Sequence, residues 1–232
     1  MRNILFLATL SVAAATGAHA ASVNLTETMK LTASDGATVD AFGYSVALDG
    51  TTALVGAYLD DDNGGNSGAA YVIDITNGTQ TKLTASDGAA GDEFGWSGAL
   101  SGGTALIGSR FDDENGSASG SAYLIDTATG TQTKLTASDG AASDWFGWSV
   151  ALSGTTALVT APGDDDNGYE SGSAYLLDTV TGTQTKLTAS DGAESDFFGR
   201  ALALSGTTAL VGAWGDDDNG ISSGAAYLFD AA

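Results

Sequence analysis

The 232-residue sequence predicts an all-β fold, a β-propeller of four four-stranded antiparallel blades. Three observations predict it. First, one 52-residue pattern is written four times: Lys30-Leu31-Thr32-Ala33-Ser34-Asp35-Gly36 returns at Lys82, Lys134 and Lys186, and Phe42-Gly43 at Phe94, Phe146 and Phe198. A fixed period of this length marks units that pack on their neighbours. Second, each copy holds four short segments rich in β-branched, aromatic and small residues, with no helical periodicity. Third, those segments are apolar on both parities, as in Thr208–Ala213, and sheets stacked face to face need both faces apolar.

The elements follow in chain order. Arg2 and Asn3 precede an apolar run over residues 4–15, and Ala18-His19-Ala20 is a small-x-small cleavage site. Residues 1–20 therefore read as a secretory signal peptide, too short to span a bilayer, and residues 21–232 as an exported propeller domain. In the first copy strand a covers residues 43–48, strand b 52–57, strand c 69–74 and strand d 79–85. The a-to-b turn, Leu48-Asp49-Gly50-Thr51, has the Asp-Gly or Ser-Gly pair that suits a tight hairpin. The c-to-d turn is short as well, whereas the d-to-a and b-to-c connections are longer and acidic. Residues 26–33 align with strand d, and the chain stops after a strand c at Tyr227-Leu228-Phe229. The N-terminal strand is thus expected to complete the last blade and close the ring. Lys30, Lys82, Lys134 and Lys186 fall in these outer strands, where lysine discourages edge pairing.

Composition excludes several function classes. There is no cysteine, and removal of residues 1–20 also removes His19, the only histidine. Without His or Cys there is no Ser-His-Asp or Cys-His nucleophile system and no imidazole or thiolate zinc site. The exported chain keeps six Lys and Arg against 29 Asp and Glu, a net charge of −23. Such a chain is repelled by nucleic acid and by anionic membrane surfaces, and no later stretch is apolar for long enough to insert in a membrane.

Strands alternate in direction, so both long connections emerge on one face and the tight turns on the other. The long loops carry 23 of the 29 carboxylates. Crowded carboxylates call for a cation, and Ca²⁺ accepts six to eight oxygen ligands. In an extended segment alternate residues point the same way, which makes Asp60 and Asp62 a candidate ligand pair while Asp61 points elsewhere. The equivalent pairs are Asp112 and Glu114, Asp164 and Asp166, and Asp216 and Asp218. Solvated, turn-forming Asp and Asn explain the same pattern without an ion.

Positions that differ between copies are free to carry specificity. After Phe-Gly stand Tyr44, Trp96, Trp148 and Arg200; at the end of strand b stand Tyr58, Arg110, Pro162 and Trp214. Aromatic and Arg side chains at one rim suit sugar or peptide contacts, so Tyr44, Tyr58, Trp96, Arg110, Trp148, Arg200 and Trp214 are candidate ligand-binding residues. Packing between blades is the competing explanation.

These motifs resemble the FG-GAP repeat family, found in integrin alpha-chain propellers and in exported bacterial proteins. Phe-Gly is intact four times, and its second half reads Gly56-Ala57-Tyr58, Gly108-Ser109-Arg110, Thr160-Ala161-Pro162 and Gly212-Ala213-Trp214, never a complete Gly-Ala-Pro. The Asp-x-Asp-x-Asp-Gly calcium loop of integrin-type repeats is replaced by Leu-Ser-Gly-Thr. Four repeats also differ from the seven blades of integrins, which leaves a monomeric four-blade ring or a dimer of arcs. The resemblance implies a secreted, periplasmic or cell-surface, non-enzymatic adhesion module that binds a protein or glycan. The alternatives are a carboxylate hydrolase such as a glycosidase, for which Glu93, Glu170 and Glu194 are the acids unique to one copy, and a structural matrix protein.

Overall fold

The computed structural model describes residues 8–10 and 23–230, and these form strands, turns and bends without a helix. The chain divides after Ala33 into two compact units. In the first, β1 (Ala8–Leu10) pairs antiparallel with β2 (Val23–Leu25). Apart from β1, the expected signal peptide lies outside the described residues.

The second unit holds four antiparallel sheets, each a chain-order meander. The first comprises β3 (Val46–Asp49), β4 (Thr52–Ala57), β5 (Ala69–Asp74) and β6 (Gln80–Leu83). The second comprises β7 (Ser97–Ser101), β8 (Thr104–Ser109), β9 (Ser121–Asp126) and β10 (Gln132–Leu135). The third comprises β11 (Val150–Ser153), β12 (Thr156–Ala161), β13 (Ser173–Asp178) and β14 (Gln184–Leu187). The fourth has three strands, β15 (Phe198–Ser205), β16 (Thr208–Ala213) and β17 (Ala225–Asp230). These are propeller blades, and strands b and c have the expected limits.

Two expectations are corrected. Strand a begins three residues late in the first copy: Tyr44 N turns back to Ala41 O, and Gly43 N and Ser45 O both bond the single residue Gly56, so regular pairing starts at Val46. The fourth blade has three strands among the described residues, and closure of the ring is not shown. Residues 26–33 carry no strand of their own.

Stacking between blades explains the Phe-Gly motif. Phe94, fully buried, joins Leu54, Ala70, Leu83 and Ala85 of the first blade to Ala105, Ile107, Tyr123 and Ile125 of the second. Its neighbour must be glycine: at Gly95, φ +92°, a Cβ would lie 2.2 Å from the Ala69 carbonyl oxygen. The backbone therefore lies directly against the preceding blade, where Phe94 bridges in parallel to Gly68. Phe146 and Phe198 build the next two junctions in the same way. Each fully buried side chain of this size contributes about 2 kcal/mol. The third copy replaces the strand-b glycine by Thr160, whose hydroxyl accepts from Ser149 N at 3.1 Å. At the equivalent Gly108 a Cβ would sit 2.0 Å from Gly147 O, so the next strand must give way. There β15 starts at Phe198 and has a register irregularity between Phe198 and Ala201.

Candidate functional site

The acidic loops are built by their own side chains. The first Asp of each b-to-c run, Asp60, Asp112, Asp164 or Asp216, is buried. In the first copy the Asp60 carbonyl accepts from Gly68 N at 2.9 Å, which closes the loop beneath it. The second Asp points outward and caps the loop: Asp61 Oδ1 accepts from Asn66 N, Asp113 Oδ1 from Ala118 N and Asp165 Oδ1 from Glu170 N, each at 2.7 Å. The d-to-a loop contributes a further buried carboxylate, Asp40, Asp92, Asp144 or Asp196, that accepts from the amide three residues upstream. Burial pushes the Asp92 carboxyl up, and the Asp144 carboxyl up to about 6.

The two loops and the strands below them meet in one repeated cluster. Lys82 Nζ lies 3.0 Å from Asp35, 2.7 Å from Asp60 and 2.6 Å from Asp62. Lys134 holds Asp87, Asp112 and Glu114 at 2.7, 3.0 and 3.0 Å, and Lys186 holds Asp139, Asp164 and Asp166 at 2.8, 2.7 and 2.6 Å. A fully buried tyrosine lies below: Tyr71 donates to Asp35 at 2.7 Å, and Tyr123 and Tyr175 repeat the contact with Asp87 and Asp139. Burial opposes the charge on each lysine, but bonds to its carboxylates outweigh that and hold the ammonium well above the ordinary lysine range. Asp35 is held low by the Tyr71 hydroxyl and then by Lys82; at Asp87 and Asp139 burial acts upward and is overcome by the lysine and the tyrosine. The lysines of β6, β10 and β14 thus point into the acid cluster, and their role as edge guards is corrected to that of internal counter-ions.

The fourth cluster differs. Asp191, Asp216 and Asp218 converge, and Tyr227 donates to Asp191 at 2.8 Å and to Asp216 at 2.7 Å, but no lysine reaches them among the described residues. The charges of Asp216 and Asp191 push the Asp218 carboxyl up. Both this triad and Asp139, Asp164 and Asp166 bring carboxylate oxygens within 4.8 Å of one another, close enough to share a metal ion. The donor chemistry suits a hard cation. In the third blade Lys186 occupies that position, and Lys82 and Lys134 do the same for the Asp60/Asp62 and Asp112/Glu114 pairs.

Six of the candidate binding residues come together in a row. Tyr44 packs on Tyr58 and Trp96 at 4.4 and 4.6 Å between ring centres, and Trp96 packs on Trp148 at 5.2 Å. Arg110 lies 3.2 Å over the Trp96 ring, anchored by Glu93 at 2.8 Å, and Arg200 lies 4.3 Å over Trp148. The second, third and fourth blades thereby each rest one ring or guanidinium on that of the blade before. Trp214 stands apart from this row, half exposed and stacked on Phe197 at 5.4 Å. Of the three acids unique to one copy, Glu93 is spent on Arg110, and among the described residues no hydrogen bond joins any two of them.

The tyrosines and the Asp35, Asp87, Asp139 and Asp191 series escaped the reading of the sequence as ligands. Their signal was present, since Asp, Asp, Tyr and Lys recur together at the 52-residue period.

Comparison with known proteins agrees with this architecture. The family described as FG-GAP repeat matches residues 25–73, 78–125, 129–177 and 181–229. No curated protein matches the sequence. Among solved structures, one titled "Crystal structure of the computationally designed Ika4 protein" is similar over 88% of this chain and 99% of its own, with 17% identity and a TM-score of 0.54, a likeness of fold alone.

Proposed function

Because the chain belongs to the FG-GAP repeat family, whose propellers are binding or structural modules, we propose that it is an exported, non-enzymatic binding module that takes a cationic protein partner on its acidic loop face. The observation that carries this reading is the division of labour among the carboxylates. The first Asp of each run is buried and bonded, while Asp61, Asp113, Asp165 and Asp217 are exposed, one per blade, and paired with no lysine among the described residues. Four like charges at one repeat interval form a patch that attracts a basic surface and weakens with salt. Residues 1–20 supply the export signal, consistent with a family whose members are often extracellular. Among the described residues no helix is long and apolar enough to cross a membrane.

The test is the fourfold variant D61N/D113N/D165N/D217N, in which Asn at 61, 113 and 165 can still accept the loop amide. Capture of an immobilised oligolysine peptide is expected to fall at least tenfold, with a shallower salt dependence and an unchanged melting temperature. Unaltered capture would remove the acidic face from the proposal. Exposed Tyr44 and Trp214 favour a second reading, a glycan ligand stacked on aromatic rings; it requires that W214A abolish glycan capture and spare peptide capture. Ca²⁺ belongs to either reading only at Asp191, Asp216 and Asp218, since an ammonium fills the other three clusters.

A further inference from the structure

The two ends of the blade series are unfinished in complementary ways. Leu54, Leu106 and Leu158 are buried by the blade that follows each of them, whereas the equivalent Leu210 is 43% exposed, and Leu228 beside it is 69% exposed. At the other end Val46 and Leu48 are 69% and 65% exposed, although the equivalent Val150 is buried. Four blades stacked through these junctions therefore do not bring the last onto the first. Among the described residues the fourth blade also has no outer strand and no lysine. The repeat assigns both to residues 26–33, whose Lys30 is exposed and makes no ion pair among the described residues.

We propose that two copies of this chain join head to tail into an eight-blade ring, each docking its first blade on the other's fourth and lending residues 26–33 as that blade's outer strand. Every contact needed has a precedent at the three internal junctions. Lys30 of one copy enters the triad of Asp191, Asp216 and Asp218 in the other, as Lys186 enters the third cluster at 2.6–2.8 Å. Tyr44 rests on Arg200 and Trp214 as Trp96 rests on Tyr44 and Tyr58. Ser205 accepts from Gly50 N as Ser153 accepts from Gly206 N at 3.1 Å. The chain also enters its first blade as it enters the second: Ser34 N donates to Gln80 as Ser86 N does to Gln132, both at 3.1 Å. A head-to-tail contact closes into a ring when its rotation allows, and eight blades lie within the range that propellers adopt.

The chain has no cysteine, which permits a direct test. A K30C variant mixed with a D218C variant and oxidised is expected to give a disulfide-linked species of twice the chain mass. The parent protein should scatter light as a dimer, and L228D should raise the dimer dissociation constant at least a hundredfold while preserving the β circular-dichroism spectrum. A parent protein that stays monomeric at 100 µM, or a K30C/D218C double variant that links only within one chain, overturns the proposal. So does a triad that binds Ca²⁺ with no change in mass or in K30C reactivity.

Discussion

Lys134 shows at the scale of one residue how the acidic face is tolerated. Its ammonium serves Asp87, Asp112 and Glu114, and Asp112 is buried. Removing one partner of such a cluster leaves the others desolvated without compensation. K134M is expected to cost about 2 kcal/mol at pH 7, discounted from a fully buried pair because the cluster opens to water on one side. The cost depends on pH in a defined direction. Asp87 is held below its ordinary value of 3.8, so its contribution is present above that value and is lost as pH falls through the lower folded value. Urea midpoints of parent and variant should therefore differ most near pH 7 and converge only as pH falls well below 3.8. An equal difference at both extremes would assign the loss to packing of the lysine stem instead.

At the scale of the element, the junction between blades concentrates its demands on few backbone positions. Gly95 combines φ +92° with a Cβ position 2.2 Å from Ala69 O, while Gly130, φ +73°, has open space around it. G95A is expected to destabilise by at least about 3 kcal/mol, because both strain and collision must be relieved. G130A should cost about 1 kcal/mol, the conformational term alone. Chemical denaturation of the two variants separates these terms, and similar losses would mean that the Phe-Gly backbone does not carry the junction. Strands b and c were legible to the residue, since residues 52–57 and 69–74 are apolar runs with turn residues at both ends. Strand a was not, because a Phe-Gly pair looks like the start of a strand, whereas Phe94-Gly95 acts as a contact with the preceding sheet. The lysine clusters were illegible for a related reason. Lys82 meets Asp35 across 47 positions of sequence, and an edge-strand lysine looks the same whether it faces solvent or folds back over its own blade.

The whole molecule behaves as a one-dimensional series whose members are stabilised by their neighbours. The second and third blades are covered on both sides by core clusters, while the fourth, among the described residues, is covered on one side and has no outer strand. In such a series local stability is approximately intrinsic blade stability plus the junctions on each side. Opening free energies should then be graded and not uniform. Amide hydrogen exchange is expected to be slowest in β8, β9, β12 and β13 and faster by at least tenfold in β17, whose outer edge has no partner strand among the described residues. This gradient belongs to the isolated chain, measured dilute. If residues 26–33 of a second copy pair with β17, raising protein concentration should slow exchange at Ala225–Asp230 selectively, since mass action stabilises only the element that the partner covers. Protection of β17 that is already equal to that of β13 at the lowest concentration would mean that the fourth blade is completed within one chain.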